Sequence, residues 1–215
     1  FVAAIVGLMG IASPRAWAAV VENASGPALV IGPDGRGVFA YYDRASGDLK
    51  VAHCVDASCA TVTTVTVDSA GDVGRKASLV MGPAGPVIAY EDTANGALKL
   101  ALCADPLCVA ALTVVIAPDL AGSNTAVALA ADGRPLVAYV AAGGTPARLK
   151  AAHCDDASCA ASTISDLDGA HSTAVGLVIG GDGRGMIHYT RSFMGQPLPG
   201  SLLHCADVAC TAGTV

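Results

Sequence analysis

The chain carries a repeat of about fifty residues, and this repeat constrains its fold more than any other feature. The first cysteines of four pairs recur at intervals of 49, 51 and 51 residues, and each second cysteine lies five residues further on. The pairs are Cys54 and Cys59, Cys103 and Cys108, Cys154 and Cys159, and Cys205 and Cys210. The same period spaces Tyr41, Tyr90, Tyr139 and Tyr189.

Each repeat consists of four short β-rich segments separated by turn signals. An apolar run meets a glycine turn, a second run ends in the tyrosine, a third enters the first cysteine, and a Thr/Val-rich run follows the second. Four strands in about fifty residues are typical of a β-propeller blade. The sequence therefore predicts an all-β propeller of four-stranded antiparallel blades. The expected units are 24–72, 73–121, 122–170 and 171–215, the last incomplete, so we expect a ring truncated from a larger one. The alternative is a four-bladed ring in which residues 19–22 complete the last blade as a closing strand.

The composition agrees with blades that pack face to face. Hydrophobic residues make up 53% of the chain, charged residues 14% and aromatic residues 4%. Sheets covered on both faces have nearly continuous apolar strands, and small side chains let them approach closely. A formal net charge of −6 argues against a nucleic-acid partner, which requires clustered cations. Beyond the N-terminal block, no uncharged apolar run reaches the roughly 18 residues of a membrane span.

The N-terminal segment 1–18 is interpreted as a secretory signal peptide that lacks its first residues. It contains the apolar block FVAAIVGLMGIA and a small-x-small cleavage pattern at Ala16-Trp17-Ala18. The alternative is a short buried helix. A signal predicts a secreted or cell-surface protein.

In an exported chain, four evenly spaced cysteine pairs predict four disulfides within the blades. Metal binding is the alternative, because His53, His153 and His204 each precede a cysteine. Adjacent residues on a strand point to opposite faces, so a histidine and the cysteine after it are poorly placed to bind one metal ion. We therefore expect no metal, and no cofactor is expected either.

Two further residue types recur in every repeat, and both have a structural and a functional interpretation. The aspartates two residues after the first cysteine either cap the tight loop or offer calcium ligands. The repeated tyrosines are either packed with their hydroxyls hydrogen-bonded or form a carbohydrate-stacking ring. Recurrence in every blade favours the capping role of the aspartates, and the position of each tyrosine at the end of an apolar strand favours packing.

The pattern DG-x-P-x-x-x-Y-x-D followed by G-x-L-K-x-A-x-C-x-D-x-x-C resembles repeats of secreted or surface-exposed bacterial β-propeller proteins. At superfamily level the chain is also similar to sialidase-type propellers. It has no Ser-x-Asp-x-Gly-x-x-Trp motif and no match to the arginine triad of sialidases, and its single tryptophan is Trp17. The resemblance therefore implies the blade architecture without sialidase catalysis.

Strands that run up and down divide the loops between two faces. The regular face carries the glycine turns and the cysteine loops. The variable face carries the irregular loops and the connections between blades, and loops on a rigid scaffold often carry function. We therefore place the candidate binding site on the variable face, around the central opening, with these contributors: Asp43, Arg44, Arg75, Lys76, Glu91, Asp92, Asn124 and His171.

The sequence is compatible with two functions. The first is a binding scaffold that holds a glycan, a protein partner or its own copies through the variable face. The alternative is an extracellular glycan hydrolase or lyase of sialidase-like type, which uses acidic residues in the central opening. No nucleophile or phosphate-loop motif occurs, and this absence favours binding without assigned catalytic residues.

Overall fold

The computed structural model describes residues 21–118, 125–141, 147–168, 171–193, 196–197 and 199–215. Within these ranges the chain forms strands and turns and contains no helix. No helix long and apolar enough to cross a membrane therefore occurs in this part of the chain. The expected signal segment, 1–18, lies outside the described residues.

The strands form four antiparallel sheets, each built by consecutive strands that pair with their neighbours in chain order. We call these sheets blades 1 to 4. Blade 1 contains β1 (Ala24–Ile31), β2 (Gly37–Asp43), β3 (Asp48–Cys54) and β4 (Val62–Asp68). Blade 2 contains β5 (Val73–Met81), β6 (Pro86–Asp92), β7 (Ala97–Cys103) and β8 (Ala111–Ala117).

Blades 3 and 4 repeat this arrangement. Blade 3 contains β9 (Ala126–Leu129), β10 (Pro135–Ala141), β11 (Arg148–Cys154) and β12 (Ser162–Asp168). Blade 4 contains β13 (His171–Ile179), β14 (Gly185–Phe193), β15 (Gln196–Pro197), β16 (Ser201–Cys205) and β17 (Gly213–Thr214). Strand β15 is an addition that pairs only with β14. The prediction of four-stranded antiparallel propeller blades is confirmed.

The hydrophobic core lies between the blades, in three clusters that each join two neighbours. Between blades 1 and 2, for example, Val38 and Val51 pack against Ile88 and Tyr90. Leu49, Leu98 and Leu149, which occupy one position of the repeat, are each completely buried. Burial of one such side chain contributes about 1.5–3 kcal/mol to the free energy of folding. The low charge content follows from this burial of both faces of the inner sheets.

The first strand of each blade lies at the centre of the molecule. Strand β1 contacts β5, β5 contacts β9, and β9 contacts β13. The other strands of each blade follow outward in chain order. The beginnings of the four first strands therefore meet on the variable face, around a common axis.

The loops between the third and fourth strands, on the regular face, are held by disulfides and by aspartate side chains that cap their backbone N–H groups. All four predicted disulfides form, each with a Cα–Cα distance of 4.8 Å, and the described residues contain no free cysteine. The repeated aspartates cap these loops: Asp56 accepts the Ser58 backbone N–H at 2.8 Å, and Asp105 accepts that of Leu107 at 2.9 Å. Among the described residues, no cluster of three metal-ligating side chains occurs.

The repeated tyrosines link neighbouring blades. The Tyr90 hydroxyl donates to Asp68 of blade 1 at 2.6 Å, and the Tyr189 hydroxyl donates to Asp168 of blade 3 at 2.5 Å. Tyr90, Tyr139 and Tyr189 are completely buried. These three rings therefore pack inside the protein and offer no face on which a sugar could stack.

Candidate functional site

A pocket of about 430 Å³ opens where the first strands begin, on the variable face. Blades 1, 2 and 4 contribute residues of their first strands, and blade 3 contributes the residue directly before β9. Of the lining residues, only Tyr42, near the end of β2, belongs to the second strand of a blade. The lining residues are Ser25, Gly26, Pro27, Tyr42, Arg75, Lys76, Ala77, Thr125 and Val175.

Bulges in the first strands shape this pocket. The pairing register shifts between Ser25 and Ala28 in β1 and between Arg75 and Ser78 in β5. A bulge re-aims the neighbouring side chains, and bulges are frequent next to binding sites. A similar shift occurs in β13 between residues 172 and 175. The entrance to the pocket is therefore formed by the irregular parts of otherwise regular strands.

One residue of each bulge in blades 1 and 2 adopts a left-handed backbone conformation. It is Gly26 in blade 1, with φ +56°, and Lys76 in blade 2, with φ +54°. Glycine adopts this conformation freely, whereas a residue with a side chain pays about 1–2 kcal/mol. Thr125 of blade 3 stabilises the bulge by donating its hydroxyl to the Lys76 carbonyl oxygen at 2.8 Å.

Arg75 and Tyr42 form a fixed pair at the side of the pocket. The Arg75 guanidinium lies over the Tyr42 ring, 4.3 Å from its centroid, and Nη2 donates to the Tyr42 hydroxyl at 3.0 Å. Arg75 also forms an ion pair with Asp72 at 3.2 Å. Hydrogen bonds from Tyr42 and then from Arg75 hold the pKa of the Asp72 carboxyl below its ordinary value. The arginine therefore presents a pre-oriented cation to the pocket.

Two further cations lie beside this pair. Arg44 follows β2 directly, and its Nη2 donates to the Ser25 hydroxyl at 3.0 Å. Lys76 lines the pocket, and its side chain is exposed to solvent. Neither forms an ion pair with a carboxylate in the part of the chain that the structure describes.

Glu91 is a buried carboxyl group that interacts electrostatically with Lys76 and Arg75. It lies on β6 opposite Arg75 and is only 6% exposed. Burial raises the pKa of Glu91, although the positive charges of Lys76 and Arg75 partly oppose the increase. Two carboxyl groups whose pKa values shift in opposite directions, Glu91 and Asp72, therefore act on the same arginine. Neither is among the pocket-lining residues.

The structure distributes the eight sequence-predicted site residues between different environments. Arg75 and Lys76 line the pocket, and Arg44 contacts the lining residue Ser25. Glu91 is buried and paired with Arg75 across the sheet. Asn124 lies outside the described residues, as does the side chain of His171.

Asp43 and Asp92 serve the loops that follow their strands. Asp43 accepts the Ala45 backbone N–H at 3.0 Å and also accepts from Ser46 and Lys50. Asp92 accepts the backbone N–H of Asn95 at 3.1 Å and its side-chain amide at 2.9 Å. These contacts explain both aspartates as turn-capping residues outside the pocket lining.

Tyr42, Thr125, Ser25 and Asp72 were not predicted from the sequence as site residues. Tyr42 did carry a signal, because it is the one tyrosine of five that does not follow the period of the repeat. The other three are common loop residues at positions where the four repeats share no pattern. Only the pairing of the strands places them together.

A propeller with a central pocket on its variable face is thus the class of protein that the fold and the site define. No protein-family model and no curated protein sequence matches the chain.

Several solved structures have a fold similar to that of this chain. An α-L-arabinanase of Penicillium chrysogenum complexed with arabinobiose is 13% identical, with a TM-score of 0.60 over 91% of this chain and 67% of that one. An α-L-arabinofuranosidase of Lactobacillus brevis is 12% identical, with a TM-score of 0.56 over 89% of this chain and 72% of that one. The NanB sialidase of Streptococcus pneumoniae is 13% identical, with a TM-score of 0.56 over 77% of this chain and 27% of that one. At these identities the likeness shows the fold alone.

Proposed function

We propose that this chain is a glycan-active propeller of the glycoside hydrolase type, and that the central pocket is its sugar site. The observation that carries the proposal is the pocket itself, in which all four blades converge. Its volume of about 430 Å³ lies within the usual range for small-ligand sites. Ser25 is partly exposed, and its hydroxyl group can pair with those of a sugar.

The similar solved structures support this reading over a scaffold without turnover, because they are predominantly glycosidases. The four disulfides support an oxidising, extracellular location for the protein. Most glycosidases hydrolyse the glycosidic bond with one protonated and one ionised carboxyl group. Glu91 is the candidate acid on two grounds: it is paired across the sheet with the pocket residue Arg75, and its raised pKa favours the protonated form. Asp72, which forms an ion pair with the pocket residue Arg75 at 3.2 Å and has a lowered pKa, is the candidate carboxylate.

The experiment measures hydrolysis and binding on the same samples. The wild-type chain and the Glu91→Gln variant are incubated with arabinan, galactan and acidic polysaccharides, and release of reducing ends is recorded beside calorimetric binding. We expect Glu91→Gln to lower turnover at least about a hundredfold while binding is retained, because a general acid contributes to the reaction rate. Turnover that survives the substitution would remove Glu91 from the mechanism.

A second candidate is a glycan-binding propeller without turnover. It is favoured by one observation, namely that the described pocket lining contains no aspartate or glutamate. Binding of a polysaccharide with no release of reducing ends, in the wild-type chain, would establish this candidate. Absence of any glycan binding would contradict both candidates.

A further inference from the structure

In the described part of the chain, nearly every arginine and lysine side chain forms an ion pair with a carboxylate. The described residues include eleven arginine and lysine side chains, and nine of them form ion pairs with an aspartate. The nine are Arg36, Lys50, Arg75, Lys99, Arg134, Arg148, Lys150, Arg184 and Arg191. Such pairing is expected in a chain with 18 acidic and 12 basic residues.

The two exceptions among the described residues are Arg44 and Lys76, and both lie at the central pocket. Arg75 lies between them and is balanced by Asp72. Glu91 faces the same region, but it is buried and its pKa is raised, so it offsets the cations only in part. The pocket therefore concentrates positive charge in an otherwise acidic protein.

The backbone conformation at Lys76 is a second and independent observation. The equivalent position in blade 1 is Gly26, which adopts the same left-handed φ at no steric cost. Blade 2 instead has Lys76 at this position, in a backbone conformation that is unfavourable for a residue with a side chain. Strained residues cluster at binding sites, where the surrounding structure holds them in place. The four cysteines with a similar φ are held by their disulfides, whereas Lys76 has no such bond, and its strain supports a role for its side chain at the pocket.

We propose that the central pocket binds an acidic sugar, namely a glycan residue that carries a carboxylate or sulfate group. The anionic group contacts Lys76 and Arg44 beside Arg75, while the partly exposed Ser25 hydroxyl serves the neutral part of the sugar. A planar guanidinium and an ammonium group are the usual partners of such oxyanions. The inference rests on the proposed function and names the class of sugar that the site takes.

Calorimetry with three matched trisaccharides tests this assignment. The probes are a galacturonate trisaccharide, a sulfated galactose trisaccharide and the neutral galactose trisaccharide. We expect at least one anionic probe to bind about tenfold or more tightly than the neutral one, since hydrogen bonds to charged groups are the stronger ones. We also expect this preference to decrease as ionic strength rises, because the cations are exposed.

Three variants assign the preference to the pocket. Lys76→Met and Arg44→Met should each weaken binding of the anionic probe about tenfold and leave that of the neutral probe nearly unchanged. Arg184→Met, on the regular face, removes the same charge from an exposed arginine and is the matched control. Thermal melting of each variant confirms that it is folded, and Arg44→Met, in an exposed loop, serves if Lys76→Met does not fold.

The outcomes separate this inference from the proposed function. Equal affinity for neutral and anionic probes, or an anionic preference that survives both pocket variants, would overturn the inference and leave the sugar site intact. A loss caused equally by Arg184→Met would show that net charge alone drives binding, which also overturns it. Binding of none of the probes or polysaccharides would contradict the proposed function itself.

Discussion

At the scale of single residues, the repeat allows one position to be compared in several environments within one chain. Blades 1, 3 and 4 each place a histidine of the third strand beside the aspartate of the glycine turn. The Nε2–Oδ2 distances are 3.2 Å for His53 and Asp34 and 3.1 Å for His153 and Asp132. Blade 2 replaces both members, with Leu102 and Ala84, and there the two residues line a pocket of about 360 Å³. The paired replacement indicates that the two side chains act as a unit.

This unit predicts a non-additive result in blade 3. His153 is 5% exposed, so Asp132→Ala leaves a buried imidazole without its carboxylate and should lower the free energy of unfolding by about 1–3 kcal/mol. Adding His153→Leu, which reproduces the combination of blade 2, should recover most of this loss. Chemical denaturation of the two single variants and the double variant measures the coupling. Additive losses would show that the pair does not interact.

Lys76 carries a prediction that separates stability from binding. Lys76→Gly removes the cost of a side chain at positive φ, so we expect the free energy of unfolding to rise by about 1 kcal/mol. Affinity for the anionic trisaccharides should fall in the same variant. Thermal melting and calorimetry test the two effects together. A destabilised Lys76→Gly protein would mean that the lysine side chain contributes packing that offsets the backbone strain.

At the scale of elements, the cysteine loop between the third and fourth strands is the most regular part of each blade. In all four loops the second cysteine has a positive φ of 53–57°. The disulfide and the aspartate cap hold it there. In blade 2, Asp105 accepts backbone N–H groups from Leu107, Val109 and Ala110. These bonds keep the pKa of Asp105 below its ordinary value, with the Ala110 bond as the largest cause.

Removal of one disulfide tests how much it contributes to the stability of its blade. Replacing Cys103 and Cys108 together by alanine should lower the free energy of unfolding by about 2 kcal/mol, the chain-entropy value for so short a loop. The pocket lies on the opposite face, so glycan binding should persist in the folded variant. Urea denaturation and calorimetry provide the two measurements. Loss of binding without loss of stability would mean that the regular face contributes to the site.

The elements also show what the sequence can and cannot predict. The strands, turns and disulfides were predictable because their residues recur with the period of the repeat, as Tyr90 and Cys103 do. The bulges that form the pocket were not, because the segments around Gly26, Lys76 and Thr125 share no residue pattern. A bulge depends on how two strands pair, and pairing register is set by the whole sheet. Arg75 and Lys76 were found only because the variable face was chosen as a region.

At the scale of the whole molecule, neighbouring blades are joined by buried polar contacts within the apolar interfaces. Asp68 of blade 1 accepts from Tyr90 at 2.6 Å and from Lys99 of blade 2 at 2.5 Å. Asp68 and Lys99 are 7% and 8% exposed. Blade 4 meets Asp168 of blade 3 through Tyr189 and Arg191, both at 2.5 Å. The same device, an aspartate at the outer strand of one blade and a tyrosine with a cation on the next, therefore fixes two interfaces.

The Asp68 contact predicts how the interface between blades 1 and 2 responds to mutation. Asp68→Ala leaves the Lys99 ammonium group buried without its partner, so we expect the free energy of unfolding to fall by about 3–5 kcal/mol. Lys99→Met added to Asp68→Ala removes the uncompensated charge and should restore much of that loss. Denaturation curves of the three variants give the comparison, and a double variant no more stable than Asp68→Ala would contradict this account.

The Asp68 carboxyl group makes the stability of the contact between blades 1 and 2 depend on pH. Burial acts to raise the pKa of Asp68, but hydrogen bonds from Lys99 and Tyr90 outweigh it, and the folded-state pKa lies below the unfolded one. A lowered folded pKa means that the stabilisation is fully present above the unfolded pKa of about 3.9 and is lost as pH falls through the folded value. The wild-type chain should therefore lose stability steeply below about pH 4. In Asp68→Ala/Lys99→Met the dependence should be shallower, and thermal melting across this range compares the two. Identical pH profiles would show that Asp68 does not couple protonation to the contact between the blades.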